Sequence, residues 1–427
     1  MRHKLFWLSI AKHNTGLLLS IFALAAVTQA QTYSVIHNFT GGQDGAAPRA
    51  GVTLDQAGNL YGTAASGGYT GGNCTIQGLQ GCGTVFKLKH TNSGWVFSPL
   101  YAFQWTDGAS PYARVVFGPD GSLYGTTAFG GHLAYDCFGR GCGVVFNLRP
   151  PQTFCRTVLC PWTETPIFLF RYDQNEGGLP YYGDLLFDGH GNIFGTNLIS
   201  GSGTYGDVYQ LTPSNGGWTV DFVYRFPGSG VNGTGANSGV ISDSSGNLYG
   251  TAYGQATYGY GSVYELMPSG AGWMEQTLYS FQDGSDGATP IGGVVFDHAG
   301  NLYGATLTGG SGGGGTVYRL SPSGGSWTLT TLYSFTGSSG STAVLTMDSA
   351  GNLYGTTWGD GTYGFGNVFK LTRSNGNWIY TSLHDFAGGS DGGRPYGQVS
   401  LDAVGNIYGT ASTGGTGIQG VVWEIMQ

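Results

Sequence analysis

The chain has 427 residues, of which 81 are glycine and only 9% are charged, with a formal net charge of −8. So few Lys and Arg, outnumbered by acidic groups, exclude the clustered basic surface on which nucleic-acid binding rests. Abundant glycine is compatible with disorder, but an aromatic content of 14%, placed at regular intervals, excludes that reading.

Residues 1–30 carry Arg2, Lys4 and Lys12 ahead of an apolar run over residues 17–27 and end in Thr28-Gln29-Ala30. This is the layout of a secretory signal peptide cut after Ala30. The 11-residue run is well short of the roughly 20 residues that a spanning helix needs. The mature chain is therefore expected to be exported, to the periplasm, the cell surface or the medium, and not inserted in a membrane. Cutting removes three positive charges and no negative ones, taking the net charge from −8 to −11.

Residues 31–427 read as a single repeat domain. Gly58-Asn59-Leu60-Tyr61-Gly62-Thr63 returns at Gly121, Gly191, Gly246, Gly300, Gly351 and Gly405, with starts 63, 70, 55, 54, 51 and 54 residues apart. Seven copies at that period match one small sheet each. The unit over residues 273–320 shows the plan: an alternating strand over 273–281, a loop over 282–290, a second strand over 293–296, a turn over 297–301, a third strand over 302–306, a Gly-rich loop, and a fourth strand over 316–320. Four short strands per unit predict an all-β fold, a seven-bladed β-propeller of four-stranded blades. A lone first-type strand over residues 33–39 is expected to complete the last blade and close the ring, which disposes of open sheet edges.

Within each unit an Asp-x-x-Gly-Asn turn recurs at Asp55, Asp188, Asp243, Asp297, Asp348 and Asp402, with Asp120 in a variant form. Asp opening a turn and Gly at positive φ make a hairpin, so these carboxylates are read as turn formers rather than catalysts. The aromatic at Tyr61, Tyr124, Phe194, Tyr249, Tyr303, Tyr354 and Tyr408 always precedes Gly, which predicts a ring packed against a glycine of an adjoining strand or sheet. In the Val-(Phe/Tyr)-x-Leu strand the variable position holds Lys87, Asn147, Gln210, Glu265, Arg319, Lys370 and Glu424, read as a solvated face.

The six cysteines fall in three local pairs, Cys74 with Cys82, Cys137 with Cys142 and Cys155 with Cys160, read from proximity as disulfides. They lack the paired Cys-x-x-Cys spacing of a zinc site. The last pair sits in a Pro-rich connection over residues 149–166, the most evident insertion.

The whole pattern, Gly-Asn-Leu-Tyr-Gly-Thr, then Gly-Gly, then Gly-x-Val-(Phe/Tyr)-x-Leu, resembles the tandem repeat of bacterial GloVer-containing proteins, the choice-of-anchor group, over essentially residues 33–427. The resemblance implies an exported bacterial repeat protein, often tied to the cell surface by a C-terminal sorting segment, with no established activity to carry over. Nothing follows Gln427 in this sequence, so anchoring of that kind is not expected.

Loops before the second strand and between the third and fourth strands are expected on one face, around the mouth of the central channel. The first set carries Asp44, Asp107, Asp286 and Asp391 in Asp-Gly-x-x-Pro, with Glu176 in a related loop; the second carries Phe129, His132, Tyr135, Tyr258, Tyr260, Trp358 and Tyr363. Flat rings and hydroxyl-accepting carboxylates suit a non-catalytic module or scaffold that binds a glycan or an extended peptide. The alternative is a propeller-fold polysaccharide lyase or hydrolase using acidic residues at the channel mouth. No cofactor is expected, and Asp283 and Asp286 lie close together in a spacing that matches no EF-hand. A monomer is expected. N-terminal sequencing of the exported protein should read from Gln31, and a mature chain that keeps residues 1–30 would overturn the leader assignment.

Overall fold

The computed structural model describes residues 31–427 except residues 77, 132–136, 138, 152–161, 172–174, 201–204, 228–234, 255–256, 271, 338 and 342–343. The proposed leader, Cys155 with Cys160, and His132 with Tyr135 lie outside the described residues.

Seven four-stranded antiparallel sheets form the ring of a β-propeller. The sheet of the reference unit runs outward as Val295–Phe296, Leu302–Ala305, Thr316–Ser323 and Ser326–Ser334. The strand after each outer hairpin therefore belongs to the preceding sheet. In the last sheet that place is taken by Thr32–Asn38, paired with Val421–Met426 so that Tyr33 faces Ile425 and Asn38 faces Val421. Count and closure follow the expectation. The innermost strands are shorter than expected, two residues each, as in Val295–Phe296 against the predicted 293–296. A small hairpin, Thr75–Ile76 with Leu79–Gln80, decorates the first unit inside the Cys74–Cys82 disulfide. The Cys137–Cys142 disulfide also forms.

The glycine after each Leu-Tyr has a different partner from the one the motif suggests. Gly62 lies directly opposite Phe86 on the neighbouring strand of its own sheet, and a Cβ on Gly62 would come within 2.5 Å of the Phe86 ring. Phe146, Tyr209, Tyr264, Tyr318, Phe369 and Trp423 cover Gly125, Gly195, Gly250, Gly304, Gly355 and Gly409 in the same way. Each ring lies flat over the gap in its sheet, and its face meets the edge of a Phe from the preceding sheet. The pairs are Phe39–Phe86, Phe103–Phe146, Phe170–Tyr209, Phe226–Tyr264, Phe281–Tyr318, Phe335–Phe369 and Phe386–Trp423, with interplanar angles of 60–66°. Edge-to-face contact adds about 0.5–1.5 kcal/mol to the burial of each pair.

The tyrosine that precedes the glycine works on the other face of the sheet. Tyr61 touches Phe117 of the next sheet at 5.3 Å and Trp162 at 6.3 Å; Tyr124 meets Phe187, Tyr249 meets Phe296, and Tyr408 meets Trp95. The variable position read as solvated lies in this seam instead, because it pairs across strands with that tyrosine. Lys87 and Lys370 cover the rings of Tyr61 and Tyr354, Glu265 accepts from the Tyr249 hydroxyl at 2.7 Å, and Asn147 is buried. Either charge is accepted there because a tyrosine offers its ring face to an ammonium, as to Lys87 and Lys370, and its hydroxyl hydrogen to a carboxylate, as to Glu265.

The turn aspartates are turn formers. Asp297 accepts from the backbone of Ala299 and Asn301, from Asn301 Nδ2 at 2.8 Å and from the Tyr303 hydroxyl at 3.0 Å. Burial alone would raise its pKa, but these hydrogen bonds outweigh burial and hold it below 3.8; the same balance lowers Asp55, Asp120, Asp188 and Asp348. A folded value below the unfolded one makes this stabilisation complete above the unfolded pKa, and it is lost as pH falls through the folded value.

Three outcomes follow for stability. Gly304→Ala, whose Cβ would sit 2.3 Å from the buried Tyr318 hydroxyl, should cost about 1–3 kcal/mol in denaturant unfolding. Tyr318→Phe should hold or raise the melting temperature, since among the described residues that hydroxyl has no partner; equal stability of Gly304→Ala and the parent would refute the packing account. Asp297→Asn should lower the melting temperature at pH 7 by about 2 °C, a gap that closes below pH 4.

Candidate functional site

The repeat delivers a segment of chain from every sheet to the central channel and holds it there. The threonine ending each Leu-Tyr-Gly-Thr donates to a carbonyl of the next sheet's channel segment: Thr63 to Ala113 at 3.0 Å, Thr196 to Ser238 at 3.0 Å, Thr251 to Gly292 at 3.0 Å, Thr356 to Gly397 at 3.2 Å and Thr410 to Ala50 at 2.6 Å. The fifth copy has Ala305 at this place and cannot make the bond. The proline of the Asp-Gly-x-x-Pro loop packs on a neighbouring sheet, where Pro48, Pro111, Pro180, Pro290 and Pro395 each fill the space a Cβ would need at Gly420, Gly83, Gly143, Gly261 and Gly366. The residue before each of these prolines, Ala47, Ser110, Leu179, Thr289 or Arg394, has φ between 50° and 61°. That left-handed backbone is costly for a side chain and persists only where the surroundings impose it. It turns the following residue toward the channel.

At those following positions the sequence stops repeating. Arg49, Tyr112, Tyr181, Ile291 and Tyr396 follow the five prolines. A cavity of about 350 Å³ opens on the axis and is lined by residues from all seven sheets. One side is aromatic and charged, with Arg49, Tyr112, Arg114, Tyr182, Asp184, Tyr396, Gln398 and Trp358; the other is small or aliphatic, with Ser238, Ile291, Gly292, Leu307, Ser339 and Val344. Tyr112 stacks on Tyr181 at 4.6 Å, Tyr182 is parallel to Tyr396 at 6.3 Å, and Trp358 lies 6.2 Å from Tyr396 with the Arg394 guanidinium 3.8 Å from its ring.

The charges in the cavity are not equivalent. Arg114 Nε donates to Asp184 Oδ2 at 2.7 Å, and the Arg114 backbone N–H donates to Oδ1 at 3.0 Å. The Asp184 carboxylate is thereby engaged on both oxygens. Arg49 lies 4.9 Å from the Tyr112 ring centre and 5.6 Å from that of Tyr396, and among the described residues it has no carboxylate partner. Burial opposes its charge, but the hydroxyls of Tyr112, Tyr182 and Tyr396 outweigh burial and keep its pKa above that of ordinary arginine. Burial is also the main cause of the raised Tyr182 pKa, about 12, so that hydroxyl stays protonated.

Of the residues expected to form the site, Trp358 is brought into the cavity. The four loop aspartates are occupied with their own loops. Asp44 accepts from the Thr40 backbone at 2.9 Å and His37 at 3.3 Å, Asp391 from Ala387 at 2.8 Å and His384 at 3.2 Å. Asp107 accepts from Gln104 and Tyr101, and Asp286 from Gln282, Gly284 and Tyr279. Phe129 is buried in the core, whereas Tyr258, Tyr260 and Tyr363 are exposed and do not line the cavity. Burial and, secondarily, the charge of Asp107 push the Glu164 carboxyl up to about 8, yet it lies on the outer strand Thr163–Leu169, away from the cavity. Among the described residues no cluster of three or more His, Cys, Asp or Glu is placed to hold a metal ion, and no helix is long and apolar enough to cross a membrane. Sequence reasoning missed Arg49, Tyr112, Arg114, Tyr182, Asp184, Tyr396 and Gln398. The signal was there in the five copies that carry the proline: Arg49, Tyr112, Arg114, Tyr396 and Gln398 stand one or three positions after it, and Tyr182 and Asp184 two and four positions after Pro180, where the copies differ in chemistry.

Several solved structures are similar to this chain. The extracellular domain of a candidate one-component system from B. thetaiotaomicron aligns with a TM-score of 0.52 at 12% identity, covering 91% of this chain and 39% of that longer one. A protein of unknown function from Dyadobacter fermentans gives 0.47 at 12% identity over 92% and 97% of the two chains, and a candidate oxidoreductase (glucose dehydrogenase) from Thermus thermophilus 0.43 at 15% identity over 74% and 96%. Identities this low speak for the fold alone. Comparison with curated proteins returns no match. The profile of the Gloeobacter/Verrucomicrobia repeat matches residues 12–180 and 180–423. Matched in two stretches that span nearly its whole length, the chain belongs to the Gloeobacter/Verrucomicrobia repeat family.

Proposed function

We propose that the protein is an exported, non-catalytic binding propeller whose axial cavity takes a compact hydroxylated ligand of the carbohydrate class. The observation that carries this reading is the break in sevenfold regularity: the framework repeats around the ring, while the residues facing the cavity divide into an aromatic and polar wall on one side and a small or aliphatic one on the other. A volume of about 350 Å³ suits a mono- or disaccharide. The rings of Tyr396 and Trp358 offer apolar faces for C–H surfaces of a sugar, and Gln398, Ser238 and the tyrosine hydroxyls offer hydrogen bonds.

Binding is favoured over glycosidic cleavage because the cavity's carboxylate, Asp184, is held by Arg114, and the loop carboxylates are satisfied by their own backbone. A compact ligand is favoured over an extended peptide because all seven sheets wall the cavity laterally. The two disulfides fit an oxidising, extracytoplasmic destination.

Calorimetric titration of the mature protein with a panel of mono- and disaccharides tests the reading. Trp358→Ala and Tyr396→Ala should each weaken binding about 10-fold, while Tyr363→Ala, on the exposed rim, should change nothing. Binding lost in Tyr363→Ala and kept in Trp358→Ala would move the site to the rim.

A further inference from the structure

We infer that the ligand of the axial cavity carries a carboxylate and that Arg49 is the group that binds it, so that the cavity selects a uronic acid over its neutral parent sugar. The inference rests on the reading of the cavity as a carbohydrate site and names the class of carbohydrate.

Three observations converge on Arg49. The first is charge. Arg114 is neutralised by Asp184, which leaves Arg49 as an uncompensated cation in the cavity lining of a chain whose net charge is −8. Tyrosine rings and a tyrosine hydroxyl hold this cation in place without neutralising it, which leaves its charge for an anionic partner from outside. The second is the hydrogen-bond inventory. Arg49 Nε is buried and, among the described residues, has no acceptor. Tyr112 and Tyr396 lie within cation–π reach of the guanidinium and the Tyr182 hydroxyl is hydrogen-bonded to it, which still leaves the Nε donor for a ligand. A carboxylate offers two oxygens in the geometry that a guanidinium fork matches.

The third is the repeat itself. At the position after the loop proline the other copies place Tyr112, Tyr181, Ile291 and Tyr396, so the fold is content with an aromatic or aliphatic residue there and does not call for an arginine. The sugar ring carrying the carboxylate would lie against Tyr396 and Trp358, which border the same wall of the cavity.

The test uses the mature chain, titrated with galacturonate, glucuronate, galactose and glucose at low and high salt. Each uronate should bind about 10- to 100-fold more tightly than its neutral parent, with the preference shrinking as salt is added. Arg49→Gln should erase the preference, so that each uronate binds no more tightly than its neutral parent, in a variant whose cooperative melting shows that it is folded. Arg49→Lys should keep part of the preference, as a point charge without the fork. Equal binding of acidic and neutral sugars, or a preference that survives in a folded Arg49→Gln, overturns the inference and leaves the carbohydrate reading standing. Binding of none of the four overturns both.

Discussion

A ring lying flat across a glycine sets the geometry of this molecule. In each sheet the second strand has a gap where a side chain would be, the aromatic opposite fills it, and the edge of a phenylalanine from the previous sheet closes on that aromatic. With a Cβ in the gap the aromatic would have to stand up, and the distance between sheets would change. Because the arrangement recurs in every seam at nearly the same angle, it fixes one wedge between sheets and hence the number that closes the circle.

The threonine one place further on converts that wedge into a positioned channel wall. Its hydroxyl is tied to a carbonyl of the next sheet's channel segment, beside Arg49, Tyr112 and Tyr396. The segments are also forced by a left-handed residue before each loop proline, and that proline is itself buttressed by a neighbouring glycine. The strained conformation thus recurs on five different side chains, held by prolines and glycines that do repeat, and the residues facing the channel are free to differ. A binding site can be altered on such a scaffold without disturbing the packing between sheets.

Most carboxylates in this acidic chain are structural. The turn aspartates bind their own backbone, and the loop aspartates bind theirs with help from a ring on the outer strand, Tyr101 or Tyr279 in some copies, His37 where the last sheet meets the first and His384 where the sixth meets the last. In those two histidines burial lowers the pKa more than the neighbouring aspartate raises it. A folded value below the unfolded one favours the neutral ring, so this part of the closure is most stable above the ordinary histidine pKa and weakens on acidification through it. The cavity stands apart from this accounting, because there a cation is left over.

Read along the chain, Gly58-Asn59-Leu60-Tyr61-Gly62-Thr63 and its copies determined the sheet count, the four-strand unit, the turn role of the aspartates and the closure by the N-terminal strand, and the proximity of cysteines gave the pairs Cys74–Cys82 and Cys137–Cys142. Each of these depends on spacing or on contacts between residues close in sequence or in register, and spacing is visible in one dimension. Which ring covers Gly62 was not visible, since Tyr61 is adjacent in the chain while Phe86 is opposite only once the strands pair. Nor was it visible that Asp44 and Asp286 are used up inside their loops, or that Lys87 and Glu265 lie in a seam rather than in water. The cavity was decided by tertiary structure alone: Arg49 and Tyr396 are 347 residues apart in the chain, and Trp358 reaches the same wall from another sheet. They meet because closing the ring brings the last sheet beside the first, and a contact made by closure leaves no local trace in the sequence.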